Sequence, residues 1–181
     1  MLSTLRRAFQ QTLKKRPLVT NMTVYASLYM AAEISQQTFN KVNLPHKPEL
    51  DIPSAVRITT VGTTIYAPTL YYWYKFLDRK LAGTAVKTVL TKVACDQFIM
   101  TPMLLALFFI VLGALEQKDD IFEELRLKYK KAIIANQSFW IPVQTVNFFF
   151  IPPHMRVIYV AVGSFIWINI LCHIKRQKIA S

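Results

Sequence analysis

Apolar blocks long enough to cross a lipid bilayer, separated by prolines and charges, constrain this chain more than any other feature. A spanning helix needs about 20 predominantly apolar residues to cross ~30 Å of hydrocarbon. Blocks of that order run from about Leu18 to Phe39, Ser54 to Leu77 and Thr88 to Gly113, and two further stretches run from about Ala132 to Ile151 and Val157 to Ile174. Within hydrocarbon the backbone must satisfy its own polar groups, and a helix does so within one segment. The expected fold is therefore an all-α integral membrane protein. Composition agrees: 53% of residues are hydrophobic and 18% charged, against roughly 45–50% and about 25% in soluble domains.

The chain divides at Pro17. Residues 1–16 hold Arg6, Arg7, Lys14, Lys15 and Arg16 and no acid, with Leu2, Leu5, Phe9 and Leu13 on one helical stripe. An acid-poor basic amphipathic segment of this kind suits a mitochondrial address or a helix lying on the membrane surface. Residues 17–181 read as a single transmembrane helical domain. The net charge of +12 falls on the N-terminus, the connecting segments and the tail. That placement fits lipid head groups and topology control, and gives no reason to expect direct contact with nucleic acid.

Charge placement also suggests a crossing number. The N-terminal segment, the stretch Lys75–Lys87 and the tail with Lys175, Arg176 and Lys178 are basic, whereas the linker with Pro45, Pro48 and Pro53 balances Lys41 and Lys47 with Glu49 and Asp51. Placing the three basic regions on one side requires an even number of crossings, so four transmembrane helices are expected. The polar 132–151 stretch then becomes a partial or tilted helix, and the charge-rich 116–131 segment an amphipathic interfacial one. The run Tyr71-Tyr72-Trp73-Tyr74 reads as an aromatic interface belt.

Ionisable side chains inside a membrane cost about 2.5–3.5 kcal/mol each on insertion scales. Glu33, Arg57, Lys92 and Asp96, with the amides Gln144 and Asn147, are therefore candidates for a polar pathway taking ions or small solutes. Register pairs, such as Glu33 with Arg57 or Lys92, or Lys92 with Asp96 at a spacing of four, would explain the same residues structurally. Pro68, Pro102, Pro142 and Pro152-Pro153 are expected to bend their helices, as static shape or as hinges. Cys95 and Cys172 form no metal-ligand pattern, and His46, His154 and His173 lack ligand spacing. Catalytic motifs, cofactor fingerprints and metal sites are not expected, so the reading is a non-enzyme.

One constellation is long enough to carry a resemblance: Trp140-x-Pro142-x-Gln144-x-x-Asn147-Phe148-x-x-x-Pro152-x-x-x-Arg156, followed by Val162 and Trp167. Asp96-Gln97 with Pro102, the group Pro68, Trp73, Tyr74, Leu77 and Asp78, and Pro17, Thr20 and Gln37 extend it over nearly the whole chain. With these residues the sequence resembles the Mpv-seventeen family, which includes the peroxisomal membrane protein of twenty-two kilodaltons. Asp119-Asp120-Ile121-Phe122 after Gln117-Lys118 is similar to its Mpv-seventeen-like branch. The chain departs from the family pattern at Ala32-Glu33, Tyr71 and Ile170-Leu171-Cys172.

The resemblance implies a weakly selective channel of the mitochondrial inner membrane or the peroxisome that affects membrane potential, reactive oxygen species and mitochondrial DNA maintenance. The basic, acid-poor N-terminus independently favours mitochondria, with the peroxisomal membrane as the alternative location. A non-conducting accessory or scaffold subunit of a larger membrane complex is the rival expectation, and self-association the other partnership to consider.

Overall fold

The structure is a computed structural model that describes Phe9, residues 11–43 and residues 49–176. The expectations for Leu2, Leu5, Arg6, Arg7, Pro45, His46, Lys47, Pro48 and Lys178 lie outside the described residues. So do those for the side chains of Cys172, His173, Lys175 and Arg176.

The described residues form helices and turns throughout, arranged as five rods. The first is α1 (Pro17–Asn43). The second joins α2 (Ile52–Val61) to α3 (Ala67–Lys80) through a π-helical turn at Gly62–Tyr66. The third joins α4 (Val86–Cys95) to α5 (Thr101–Leu115) through a π-helical turn at Asp96–Met100. The fourth is α6 (Glu123–Phe150), and the fifth, after a 3₁₀ turn at Pro153–Met155, is α7 (Arg156–Arg176).

Both π turns end two residues before a proline. Pro68 and Pro102 cannot donate the helical hydrogen bond, and their rings crowd the carbonyl four residues back. The chain widens by one residue instead, with the Ala67 amide donating to the Gly62 carbonyl and the Thr101 amide to the Asp96 carbonyl. A π turn inserted in this way shifts the faces of the helix relative to one another. In the third rod it turns Asp96 and Gln97 inward and leaves Phe98 and Ile99 on the outer surface.

The linker before α2 is fastened by side chains. The Gln37 amide donates to the Asp51 carbonyl (2.9 Å) and accepts from the Asp51 amide (2.7 Å). Asp51 in turn caps α2 by accepting from the Ser54 amide at 2.8 Å, the standard way of satisfying an orphan donor at a helix start. Pro53 thus stands in the first helical turn, where its missing N–H costs nothing.

Successive rods run antiparallel. Tyr29 packs against Gly62 between the first two. In the hairpin of the second and third, Tyr66 donates to the Leu104 carbonyl, Trp73 to Asp96, and Lys92 to Asp78, at successive levels. Trp140 and Phe139 of α6 meet Gly163 and Trp167 of α7 in the same antiparallel sense. At one end of the bundle the start of α1, the end of α3 and the Pro152-Pro153 turn converge, because Pro17, Lys75, Asp78 and Pro153 line one cleft.

Two expectations are corrected here, and the number of rods exceeds the expected number of crossings. Residues 132–151 are not a partial helix: all but the last belong to α6, a 28-residue helix about 42 Å long at 1.5 Å per residue. It runs on uninterrupted because its amides Asn136, Gln144 and Asn147 face the buried interior. The separate 116–131 helix does not exist; residues 116–122 form a turn and α6 begins at Glu123. Among the described residues the chain thus has five rods where four full helices were expected. With five, the C-terminal end of α7 falls at the opposite end of the bundle from the start of α1. Among the described residues, the third rod, Val86–Leu115, is the one helix that by length and composition alone is apolar enough to cross a membrane.

The polarity of the fold is inverted relative to a water-soluble domain. Val19, Val56, Phe76, Leu90, Phe98, Ile99, Ile134 and Phe150 are exposed, whereas Glu33, Lys92, Asp96, Gln97, Gln144, Asn147 and Arg156 are buried. Outward hydroxyls bond their own helices: Thr23, Ser27, Thr38, Thr60, Thr64, Thr91, Ser138 and Thr145 each donate to the carbonyl four residues back. A hydroxyl facing hydrocarbon has no other partner.

Candidate functional site

The buried polar residues form two connected tiers inside the bundle. The inner tier centres on Asp96, whose carboxylate accepts from three neutral donors on three rods: Trp73 Nε1 at 3.0 Å, Gln97 Nε2 at 2.9 Å and Gln144 Nε2 at 2.8 Å. Gln144 also donates to the Tyr74 hydroxyl, and its own carbonyl accepts from Asn147 Nδ2 at 2.8 Å. Asp96, Gln97, Gln144 and Asn147 are each no more than 2% exposed. A network in so dry a setting specifies one packing, because every unmade bond costs a desolvated polar group.

This tier borders an internal cavity of about 40 Å³, reached by Asp96, Gln97, Asn136, Gln144, Ser164 and Tyr74. The volume has room for about three waters. Gln97 Oε1 and Asn136 Oδ1 are buried without a protein partner, so the cavity wall presents acceptor oxygens to whatever enters. Trp140 and Trp167 line it on the α6–α7 side, and Tyr29 and Tyr66 on the other.

The outer tier is an ion triad. Lys92 Nζ donates to Asp78 Oδ1 at 2.7 Å, and the Arg156 guanidinium pairs with the same oxygen. Both cations also lie over the Phe148 ring, at 5.8 Å for Lys92 and 5.2 Å for Arg156, an arrangement that ring quadrupoles favour. Arg156 Nε donates to the Ile151 carbonyl at 3.1 Å, which fastens the Pro152-Pro153 turn to the start of α7. Tyr74 bridges the tiers in space: it lines both the inner cavity and a larger cleft of about 570 Å³ at the Asp78 end.

Of the expected pathway residues, the structure brings Lys92, Asp96, Gln144 and Asn147 together and leaves Glu33 and Arg57 apart from them. Glu33 lies toward the other end of the bundle, where it accepts from Gln37 Nε2 at 2.9 Å. Arg57 is half-buried on α2, with a buried Nε. The expected pairs that used Lys92 are corrected: Lys92 reaches across the hairpin to Asp78, and Asp96 is held by neutral donors. Antiparallel register sets this choice, placing Asp78 opposite Lys92 and Trp73 opposite Asp96.

The aromatic belt is also revised. Tyr72 faces outward, but Trp73 and Tyr74 turn in and hold the network. Asp78, Trp73 and Tyr74 were therefore missing from the expected polar lining. Tyr74 and Asp78 are four apart and so on one helical face, but that spacing does not say which face turns inward.

The rest of the long motif supports these contacts. Phe148 carries the two cations, Trp167 stacks on Phe139 at a centroid distance of 6.0 Å, and the Tyr129 hydroxyl donates to the Pro102 carbonyl at 3.2 Å. Pro142 lies inside α6 and leaves the Ser138 carbonyl without its helical donor. Among the described residues no group of His, Cys, Asp and Glu is arranged to hold a metal ion, and Cys95 is a free, half-buried thiol.

Comparison with known proteins adds a second line of argument. Residues 113–172 match the model of the Mpv17 / PMP22 family, the stretch that holds Trp140 through Trp167. An Mpv17-like protein of Xenopus laevis is 34% identical over 96% of this chain and 84% of its own length. The mitochondrial inner membrane proteins Mpv17 of Xenopus laevis and Homo sapiens are each 31% identical over 89% of this chain, covering 91% and 92% of theirs. Those names agree with the location expected from the sequence. No solved structure matches the chain. With a relative this similar over nearly its full length, the chain belongs to the Mpv17 / PMP22 family.

Proposed function

We propose that the protein is a channel or solute pathway of the mitochondrial inner membrane, with the two-tier polar interior as its route. The observation that carries this reading is Asp96: a buried carboxylate shared by three rods, facing a small cavity of polar and aromatic side chains, with Tyr74 alone common to that cavity and the wide cleft beyond. A register pair would need no cavity and would be matched by a cation, whereas Asp96 is held by neutral donors that stabilise charge without fixing a counter-ion. Tyr74 is the gate in this reading, and the π turn at Asp96–Met100 the flexible element beside it. Effects on membrane potential, reactive oxygen species and mitochondrial DNA maintenance would follow from what the pathway conducts. The relatives named as mitochondrial inner membrane proteins support the location.

The accessory-subunit reading relies on the charged 116–131 region and the basic tail as docking surfaces. Much of the 116–131 charge is already used within the chain: Lys118 and Lys128 both pair with Glu124, at 2.6 and 3.4 Å, and Arg126 pairs with Asp120. Asp120, which is exposed, is held below the usual carboxylate range by the Arg126 guanidinium and the Phe122 amide.

The test is single-channel recording of the purified protein in planar bilayers, with Asp96→Asn and Tyr74→Ala beside the wild type. Discrete currents, changed in selectivity by Asp96→Asn and in open time by Tyr74→Ala, are the expected result. Silence from correctly inserted protein would reject the pathway. Co-migration with a large complex in gentle detergent would then favour the accessory reading.

A further inference from the structure

Two clefts meet at Asp78. The first, about 570 Å³, is lined by Lys14, Lys75 and His154 among others; the second, about 380 Å³, by Lys92 and Arg156. Asp78 lines both and is the one acidic residue of either among the described residues. Four fixed positive charges therefore face one carboxylate. Lys92 and Arg156 are 2% and 3% exposed and converge on a single oxygen of Asp78, so that carboxylate neutralises only one of them. Asp96, the other buried acid nearby, is turned to the inner cavity and its three neutral donors. At the rim, Lys75 is steadied over the Tyr71 ring at 5.9 Å.

We infer that the twin cleft is a binding site for a phosphate-bearing anion, with Asp78 as the resident competitor for its cations. A phosphoryl group accepts from a guanidinium and from ammonium groups in the geometry a carboxylate uses, and with more charge. A low-dielectric cleft lined by one sign of charge concentrates ions of the other. The phosphate can belong to a soluble metabolite passing through the cleft or to an anionic phospholipid head group, since basic pockets between membrane helices hold such heads. The inference deepens the pathway reading by naming the class of solute, and rests on it for that role alone. Its test reads binding, so silence in planar bilayers would leave it untouched.

The experiment uses the full chain in maltoside micelles, which carry no phosphate, titrated with pyrophosphate and followed by thermal shift. Saturable binding is expected, weakened about three- to fivefold by each of Lys14→Gln and Lys75→Gln and weakened further by added salt. Asp78→Asn should tighten it by freeing Lys92 and Arg156; if that variant does not fold, the two exposed lysines carry the test. In a parallel arm the protein is taken from vesicles of phosphatidylcholine and phosphatidylglycerol, and retained lipid is counted by native mass spectrometry. Selective retention of phosphatidylglycerol that is lost in the double lysine variant, without pyrophosphate binding, would identify the lipid as the source. Absence of both, or binding indifferent to both lysines, would overturn the proposal.

Discussion

Asp78 binds two buried cations through one oxygen, and this makes it the most sensitive single residue of the polar interior. Its removal strands Lys92 and Arg156 in a setting where neither can reach water freely, and breaking a buried pair from one side costs about 3–5 kcal/mol. Asp78→Ala is therefore expected to lower the thermal midpoint of the purified protein sharply. A loss near zero would mean that the clefts already hydrate both cations. Gln144→Ala should cost less, about 1–3 kcal/mol, because it leaves neutral groups on Tyr74 and Asn147 unsatisfied along with one of three donors to Asp96. Lys92, Asp96, Gln144 and Asn147 could be identified from sequence because a polar side chain deep in an apolar block stands out against its neighbours. Asp78, Trp73 and Tyr74 could not, because at the end of such a block polar and amphipathic residues are expected anyway. Only the antiparallel register of the hairpin turns them inward.

At the scale of elements, the interruptions determine where the helices touch. A Cβ on Gly62 would lie 2.3 Å from the Tyr29 ring, and Tyr29 is itself buried. Gly62→Ala should cost about 1–3 kcal/mol as overpacking, measured as a drop in unfolding midpoint that Tyr29→Leu in the same chain partly restores. The end of α5 carries a milder strain. Gln117 has φ of 52°, and the amides of Gln117 and Lys118 bond back to Ala114 and Gly113 at 3.1 Å each. This is a Schellman arrangement in which glycine is the preferred residue. Gln117→Gly should stabilise by about 1 kcal/mol, and no gain would show that the Gln117 side chain compensates. The prolines flagged both places where a rod changes character, yet sequence alone cannot distinguish a π turn before Pro68 or Pro102 from the simple kink that was expected. The uninterrupted α6 was harder still, since its amides look like a break in an apolar run until their partners on α3 and on the third rod are known.

For the molecule as a whole, the order of the rods decides the topology. Charge counting grouped the N-terminal segment, the second loop and the tail on one side, which only an even number of crossings allows. Five alternating rods separate them: the N-terminal end of α1, the loop near Gly83 and the Pro152-Pro153 turn share one end, while the 116–122 turn and the end of α7 occupy the other. Charge counting gives only weak guidance here, for a physical reason. Residues 126–131, with Lys175 and Arg176 at the end of α7, put basic residues at that second end as well, so the bias between the two ends is small. The arrangement is open to direct measurement by thiol labelling from one side of sealed proteoliposomes, in a background lacking Cys95 and Cys172. Gly83→Cys and His154→Cys should label together, and Lys118→Cys with a cysteine placed after Ser181 should label together from the opposite side. Labelling of the C-terminal cysteine together with Gly83→Cys would restore the even-numbered topology. Either α6 or α7 would then have to lie outside the membrane, and the Asp96 network, which needs α6 inside, would name α7 as the one displaced.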